Sequence, residues 1–288
     1  MTKREKWVAG ARPRTLPAAV VPVVVGTAVA AAVGHVIWWR SALALVVSLS
    51  LQVGVNYAND YSDGIRGTDT SRVGPVRLVA GALAEPSSVK RAAWLSFGIA
   101  ALAGLALALV TSPWLLLVGA LSVAAAWFYT GGPRPYGYVG FGELFVFVFF
   151  GLVAVAGTAY VSLDRVPNLA ILAAIPVGLL SVSLLVVNNL RDIPSDAESG
   201  KRTLAVRLGA GGTRILYVAC LIAAFGAAMA IAAEHRLALL VLASAVLAVR
   251  PVRIVLSGAT GGSLIPVLEM TGRLVLVFGV LLAAGIAW

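Results

Sequence analysis

The sequence is poor in cysteine, histidine and charged residues. Its single cysteine, Cys220, excludes both a disulfide framework and a metal site built on cysteine. Charged residues make up 12% of the 288 residues, against roughly 25% in an average soluble domain, which excludes an ordinary soluble globule. The remainder is strongly apolar, with 60% hydrophobic residues and a mean hydropathy of +0.96. The composition therefore predicts a polytopic membrane protein.

The apolar residues occur in runs long enough to cross a bilayer, whose core of about 30 Å needs roughly 20 helical residues. Uncharged runs cover residues 15–39, 41–59, 92–133, 166–190 and 215–233, and less uniform runs cover 137–161, 237–256 and 264–288. The run 92–133 is twice too long for one crossing and is interrupted at Thr111, Ser112 and Pro113, so we expect a hairpin there. The sequence predicts an all-α chain with nine transmembrane helices in a single domain, residues 1–288.

The basic residues are distributed unevenly between the two sides that nine crossings define. If the N-terminus is cytoplasmic, all but four of the 22 Lys and Arg residues belong to the cytoplasmic side. The exceptions are Arg40, Arg165, Arg236 and Arg273. We therefore expect a cytoplasmic N-terminus, with the net charge of +10 facing the anionic headgroups of the lipid bilayer. Nucleic acid is not an expected partner, since no basic helix or aromatic platform stands apart from the spans.

Half of the 12 acidic residues fall into two clusters, each just after an apolar span. Asp60, Asp63 and Asp69 follow the second span, whereas Asp192, Asp196 and Glu198 follow the sixth. Solvated loop charges would explain one such cluster. Two clusters at the cytoplasmic ends of spans, each beside basic residues, favour a functional site, because charge so close to hydrocarbon is costly.

The spacing within the clusters places oxygen ligands on shared helix faces. If the second span continues as a helix, positions i, i+3, i+4 and i+7 share a face and are occupied by Asn56, Asn59, Asp60 and Asp63. The sixth span ends in a similar set, namely Asn188, Asn189, Asp192 and Asp196. Pro194, between the two aspartates, disfavours regular helical spacing there.

Oxygen ligands without histidine or cysteine suit a hard cation, and Mg²⁺ is usually completed by substrate phosphate oxygens. The two acidic clusters therefore predict Mg²⁺ bound together with a diphosphate. Basic residues in the same loops can neutralise the remaining phosphate charge; they are Arg72, Arg77, Lys201 and Arg202.

These segments resemble the motifs of a known family. The segments NDYSDGIRGTD at 59–69 and NNLRDIPSDAESGKRTLAVRLG at 188–209 resemble the two aspartate motifs of the UbiA superfamily of intramembrane prenyltransferases. Within that superfamily, three further segments resemble the 1,4-dihydroxy-2-naphthoate polyprenyltransferases: RPRTLP at 12–17, SRVGPVR at 71–77 and YTGGPRPYGYVGFGE at 129–143. The resemblance implies nine helices around a central cavity.

The resemblance also implies roles for individual residues. It implies that Mg²⁺ is held by residues of both motifs, for which we expect Asn59, Asp60, Asp63, Asp69, Asp192 and Asp196. The catalytic residues expected are Asp63, Arg72, Asp192 and Lys201. Contacts with the diphosphate or the aromatic substrate are expected from Asn59, Arg77, Tyr129, Tyr136, Glu143, Asn188, Asn189 and Arg202. Tyr138 lies in the same loop, and for the three tyrosines anchoring at the membrane interface is the alternative. For Glu143, the alternative is a carboxylate that stabilises the N-terminus of the fifth span.

The reaction implied is transfer of a polyprenyl group from polyprenyl diphosphate to 1,4-dihydroxy-2-naphthoate, with loss of CO₂, at the cytoplasmic face of a cell membrane. Another aromatic acid, such as 4-hydroxybenzoate, is the alternative acceptor. A cation-coupled transporter is the alternative from a different class. A transporter would place its acids near the middle of the spans, next to broken helices.

Overall fold

The computed structural model describes residues 1–68, 74 and 76–288, and most of these residues are helical. We number the helices α1 (Lys3–Ala11), α2 (Pro17–Val33), α3 (Trp38–Arg66), α4 (Pro86–Val110), α5 (Trp114–Phe128), α6 (Gly142–Leu163), α7 (Asn168–Glu198), α8 (Leu204–Ile231), α9 (Arg236–Leu256) and α10 (Gly261–Ala287). A short 3₁₀ turn, Tyr136–Val139, precedes α6. No strand occurs in the part of the chain that the structure describes, which confirms the prediction of an all-α membrane protein.

Counted by the length and composition of the helices, the crossings are fewer than the nine predicted. Among the described residues, seven helices are long and apolar enough to cross a membrane, and an eighth is obtained if Arg4–Thr15 and Pro17–Val33, which meet at 52°, form one broken span. The predicted break at Thr111, Ser112 and Pro113 is confirmed. It leaves α5 with 15 residues, roughly 22 Å of helix, which is short for a core of about 30 Å.

Two helices extend well beyond the apolar runs that predicted them. Helix α3 continues past Asp60 and Asp63 to Arg66 and ends at Gly67, whose φ of 70° lies in the left-handed region favoured by glycine. Helix α7 continues past Pro194 to Glu198, so the expected interruption by this proline does not occur. After α7, the backbone N–H of Lys201 donates to the carbonyl of Asp196 at 2.8 Å and turns the chain back towards the helix.

Helices α2, α7 and α10 supply most of the main core. In its most apolar stretch α7 is 72% buried, the highest fraction among the seven spans. Helix α6 approaches α7 closely because both carry glycine at the contact: a Cβ added to Gly151 would lie 2.7 Å from the Cα of Gly178. Helix α6 is π-helical over Phe147–Val153, beside this contact. A smaller core joins α1, α3 and α4 around Tyr57, Leu78 and Phe97.

Candidate active site

Lys201 joins the two acidic clusters. Its Nζ lies 3.1 Å from Oδ1 of Asp63, at the end of α3, and 3.8 Å from Oδ1 of Asp196, at the end of α7. Asp63, Asp196 and Lys201 are all buried. Because an ammonium group placed between two carboxylates offsets their mutual repulsion and part of their desolvation cost, this contact stabilises the approach of the two motifs. The structure therefore brings together two acidic clusters that lie far apart in the sequence.

Tyr138 forms the second contact with Asp63. Its hydroxyl donates to Oδ1 of Asp63. Two cations lie close to the tyrosine ring, with Nζ of Lys201 4.6 Å and Cζ of Arg66 5.4 Å from the ring centroid. The guanidinium of Arg66 also donates to the carbonyls of Thr130 and Gly132. The loop before α6 is thus attached to the end of α3, and Tyr138 is held against the carboxylate.

Asp192 is held by its neighbour in sequence. Nε and Nη2 of Arg191 lie 2.7 and 2.8 Å from Oδ1 and Oδ2 of Asp192, a bidentate pair in which both residues are buried. Nη2 of Arg191 also donates to Oδ1 of Asn188 at 2.8 Å. Gly74 packs on the guanidinium, since a Cβ there would lie 3.3 Å from Cζ of Arg191. Arg191 was not among the residues predicted for the site, although it stands within the second motif.

A cavity of about 660 Å³ opens below these residues. It is lined by ten of the predicted site residues: Asn59, Asp63, Arg77, Tyr129, Tyr136, Asn188, Asn189, Asp192, Asp196 and Lys201. In Asn59, Oδ1 accepts from the hydroxyl of Thr130 at 2.8 Å, which fixes the amide beside Asp63. Most of the remaining lining is apolar and belongs to α3, α4, α5 and α6.

Three of the predicted site residues, Asp60, Glu143 and Arg202, do not line the cavity. Both carboxylate oxygens of Asp60 accept backbone N–H groups, from Leu78 at 2.8 Å and from Val79 at 3.0 Å, so this acid holds the turn before α4. Glu143 is buried beside the cavity, where its Oε1 accepts from Nδ2 of Asn189 at 2.9 Å. Arg202 is exposed. None of the three is among the described residues that line the cavity.

Asp69 and Arg72, which were also predicted to belong to the site, lie outside the described residues.

Tyr136 lines the cavity with its ring, but its hydroxyl donates to the carbonyl of Ala125 at 2.8 Å and thereby joins the loop to α5. Of the three tyrosines in this loop, Tyr138 is therefore the one whose hydroxyl contacts an acid of the first motif.

The tyrosines of this loop stay protonated at neutral pH. Burial raises the pKa of Tyr129, Tyr136 and Tyr138 above the ordinary value for tyrosine, and the negative charge of Asp63 raises the pKa of Tyr138 further. Tyr138 can therefore donate a hydrogen bond to Asp63 but is a poor base.

A second polar group lines the cavity further along α3, away from Asp63. Asn56 and Gln52 lie about two and three turns along α3 from Asp63. Nδ2 of Asn56 donates to the carbonyl of Ala11 at 2.8 Å and to the hydroxyl of Thr15 at 3.1 Å. Arg12 also lines the cavity, and its Nη2 is buried without a hydrogen-bond partner among the described residues. Sequence reasoning placed Asn56 on the helix face of Asp63 but predicted no site formed with Gln52 and Arg12, although a glutamine and an asparagine within one apolar run signal it.

The donor set fits Mg²⁺ that is shared with a phosphate ligand. Within residues 1–68, 74 and 76–288, no three acidic, histidine or cysteine side chains are close enough to form a protein cage for a metal. Mg²⁺ does not need such a cage, since it is usually bound through one or two carboxylates, waters and substrate phosphates. Asp63 and Asp196 provide oxygens on either side of a position that the structure already fills with positive charge, the ammonium of Lys201.

Comparisons with known proteins agree with this architecture. The model of the UbiA prenyltransferase family matches residues 19–258. The chain is 53% identical to the 1,4-dihydroxy-2-naphthoate octaprenyltransferase of Mycobacterium tuberculosis, over 100% of this chain and 99% of that protein. It is similar in fold to an apo UbiA homologue from Aeropyrum pernix (TM-score 0.68, 17% identity, covering 99% and 98% of the two chains). A homologue from Archaeoglobus fulgidus solved with DMAPP and Mg²⁺ has a TM-score of 0.61 at 12% identity, covering 97% and 99%.

Proposed function

Because the chain belongs to the UbiA prenyltransferase family, we propose that it transfers a polyprenyl group from polyprenyl diphosphate to 1,4-dihydroxy-2-naphthoate, a step of menaquinone biosynthesis. The observation that carries the proposal is the meeting of Asp63 and Asp196 at Lys201, directly above a largely apolar cavity. Such a site can hold a charged diphosphate at its mouth and a hydrocarbon chain inside.

The donor diphosphate belongs at the polar mouth of the cavity. Lys201 and Arg191 carry positive charge there, and Arg77 lines the same region. Cations fixed in a poorly hydrated site stabilise the negative charge that develops on the leaving diphosphate as the allylic C–O bond breaks. The apolar walls exclude water from the resulting allylic cation, which favours attack by the aromatic carbon over hydrolysis.

We assign Mg²⁺ to the oxygens of Asn59, Asp63, Asp192 and Asp196, with Asp69 as a further candidate. Bound there with the donor, Mg²⁺ would neutralise charge on the diphosphate oxygens. The exposed Arg202 is assigned no direct contact with substrate. Asp60 is proposed to support the site through the backbone of Leu78 and Val79.

The aromatic acid is assigned to the second polar group. The buried guanidinium nitrogen of Arg12 can bind a carboxylate, and the side chains of Thr15, Gln52 and Asn56 offer hydrogen bonds to phenolic oxygens. The neighbouring Arg14 is already neutralised in part by Glu269, at 2.6 Å. Prenylation at the carbon that bears the carboxylate forms a C–C bond there. The C–CO₂ bond then breaks, and its electron pair returns to the ring as CO₂ leaves.

We also propose nine crossings, with α2 to α10 each spanning the bilayer, a cytoplasmic N-terminus and the active site at the cytoplasmic face. The excess of Lys and Arg on that side supports this orientation. The short α5 would then span the membrane together with its flanking residues, where the bilayer is locally thinned.

Membranes containing the protein test the proposed reaction. Supplied with octaprenyl diphosphate, Mg²⁺ and carboxyl-labelled 1,4-dihydroxy-2-naphthoate, they should form the prenylated naphthol and release labelled CO₂ in equal amounts. Asp63→Asn should abolish both products. The matched control, Asp164→Asn, changes an exposed aspartate at a left-handed position that asparagine tolerates well, and it should retain wild-type turnover. Product from 4-hydroxybenzoate but none from the naphthoate would reject the assigned acceptor.

A further inference from the structure

The cavity continues far beyond the polar site. On α3 its lining extends from Asp63 to Ala44, a distance of about 28 Å along the helix at 1.5 Å per residue. This is close to the full thickness of a hydrocarbon core, about 30 Å. The far part lies between α3, α4, α5 and α6, and most of its lining is apolar.

Three helices present glycine to this far part of the cavity, which we call the distal chamber: Gly104 on α4, Gly119 on α5 and Gly157 on α6. A Cβ added to Gly119 or Gly157 would meet no heavy atom within 4 Å, and one added to Gly104 would lie 3.9 Å from Val47. None of the three has a positive φ. Neither helix packing nor backbone conformation therefore requires glycine at these positions.

Gly151, on the same helix as Gly157, has very different surroundings. There a Cβ would lie 2.7 Å from Gly178 and 2.9 Å from the carbonyl of Ala174, so glycine is needed for the contact between α6 and α7. Six residues later, Gly157 faces open space instead. Glycine is the least favourable residue in a helix after proline, so helix stability does not explain its presence here. What the missing side chain does is leave the cavity wide at this position.

We propose that Gly119 and Gly157, with Gly104 opposite, keep the distal chamber wide enough for the far isoprene units of a long-chain donor and so determine which chain lengths the enzyme accepts. The inference rests on the proposed prenyl transfer and adds residues that select the donor. A short donor is held by its diphosphate and fills the near part of the cavity. A long donor must place its tail past both glycines.

The test compares two donors in variants that narrow the chamber. In Gly119→Leu and Gly157→Leu, the ratio of kcat/KM for octaprenyl diphosphate to kcat/KM for geranyl diphosphate should fall by about tenfold or more. Even one methylene group more or less in an apolar pocket can change selectivity by this amount. Gly119→Ala and Gly157→Ala should give smaller decreases. Leucine and alanine are good helix formers, so the variants should fold.

Gly98→Leu is the matched control. Gly98 lies on α4, is exposed, has open space around its Cβ position and does not line the cavity. Its donor ratio should equal that of the wild type. An unchanged ratio in folded Gly119→Leu and Gly157→Leu would overturn the proposed chamber while leaving the prenyl transfer intact. Wild-type membranes that yield no product from either donor would instead reject the proposed function, and the chamber with it.

Discussion

Neighbouring acids of one motif have different tasks in this structure. Asp60 is 1% exposed and both of its oxygens accept backbone N–H groups of the turn at Leu78 and Val79. Asp63, one helical turn later, faces the cavity and contacts Lys201 and Tyr138. Sequence spacing placed both on one helix face, but it could not show that Asp60 lies at the edge of that face, where a loop covers it.

Substituting each acid by its amide separates the two tasks. In Asp60→Asn one backbone N–H faces an NH₂ group instead of an oxygen, which should lower the free energy of unfolding by about 1–3 kcal/mol. Asp63→Asn keeps an oxygen for Tyr138 and Lys201, so it should lose turnover with a smaller loss of stability. Thermal unfolding in detergent and product formation would be measured for both. A stable, fully folded Asp60→Asn protein without turnover would mean that Asp60 is a ligand.

Tyr138 provides the second prediction at this scale. Tyr138→Phe removes a hydrogen bond to a buried carboxylate, and such bonds contribute about 1.5–3 kcal/mol, so kcat/KM for the donor should fall roughly tenfold or more. Tyr160→Phe, near the other end of α6, is the control and should keep wild-type kinetics. Equal kinetics in the two variants would remove Tyr138 from the site.

The raised pKa of Tyr138 gives this variant a pH signature. The neutral form of Tyr138 is favoured in the folded wild-type protein. The contribution of Tyr138 to stability is therefore present below the ordinary tyrosine pKa, about 10, and is lost as the pH rises through the higher pKa that Tyr138 has in the folded state. The difference in unfolding temperature between wild type and Tyr138→Phe should therefore be constant from pH 7 to 9 and shrink above pH 10. A difference that shrinks already near pH 8 would contradict the assigned direction.

At the scale of helices, the apolar runs located the spans, and helical spacing extended the second span through Asp63. The extension of α7 past Pro194 was not expected. Transfer of apolar residues to lipid dominates the energetics of a span, and the runs therefore predicted where helices lie. The polar ends of α3 and α7 remain helical because their side chains pair with each other through Lys201 and with the loop at Tyr138. Lys201 and Tyr138 lie far from Asp63 in sequence, so the local pattern did not show these pairings. The partners of Arg191, Asp192 and Asn188, are close in sequence, but nothing in the sequence marks the arginine as the residue that holds Asp192.

The close contact between α6 and α7 positions α7, the helix that carries the second motif. In Gly151→Ala the new methyl would lie 2.7 Å from the backbone of Gly178, which cannot move away as a side chain can. Overpacking of this kind should lower the free energy of unfolding by about 1–3 kcal/mol. Gly98→Ala adds the same methyl in open space and should be neutral or stabilising. Detergent unfolding curves that coincide for the two variants would show that α6 and α7 can separate without cost.

At the scale of the whole molecule, the acids lie at one end of the helices and the cavity extends from them into the bilayer. Asp63 and Asp196 lie near the ends of α3 and α7, away from mid-span, unlike the sites expected of a cation-coupled transporter. The distribution of basic residues predicts which end is cytoplasmic. Conversely, the shortness of α5 was hidden in the sequence by the apolar residues around it.

The number of crossings can be decided from the two ends of the chain, since an odd number places them on opposite sides. In a Cys220→Ser background, single cysteines would replace exposed residues: Val8, Val166, Ser257 and Trp288. With nine crossings and a cytoplasmic N-terminus, a membrane-impermeant thiol reagent should label positions 166 and 288 in intact cells. Positions 8 and 257 should be labelled only in inverted vesicles. Labelling of 288 on the same side as 8 would require an even number, and then α5 or α2 would be the helix that fails to cross.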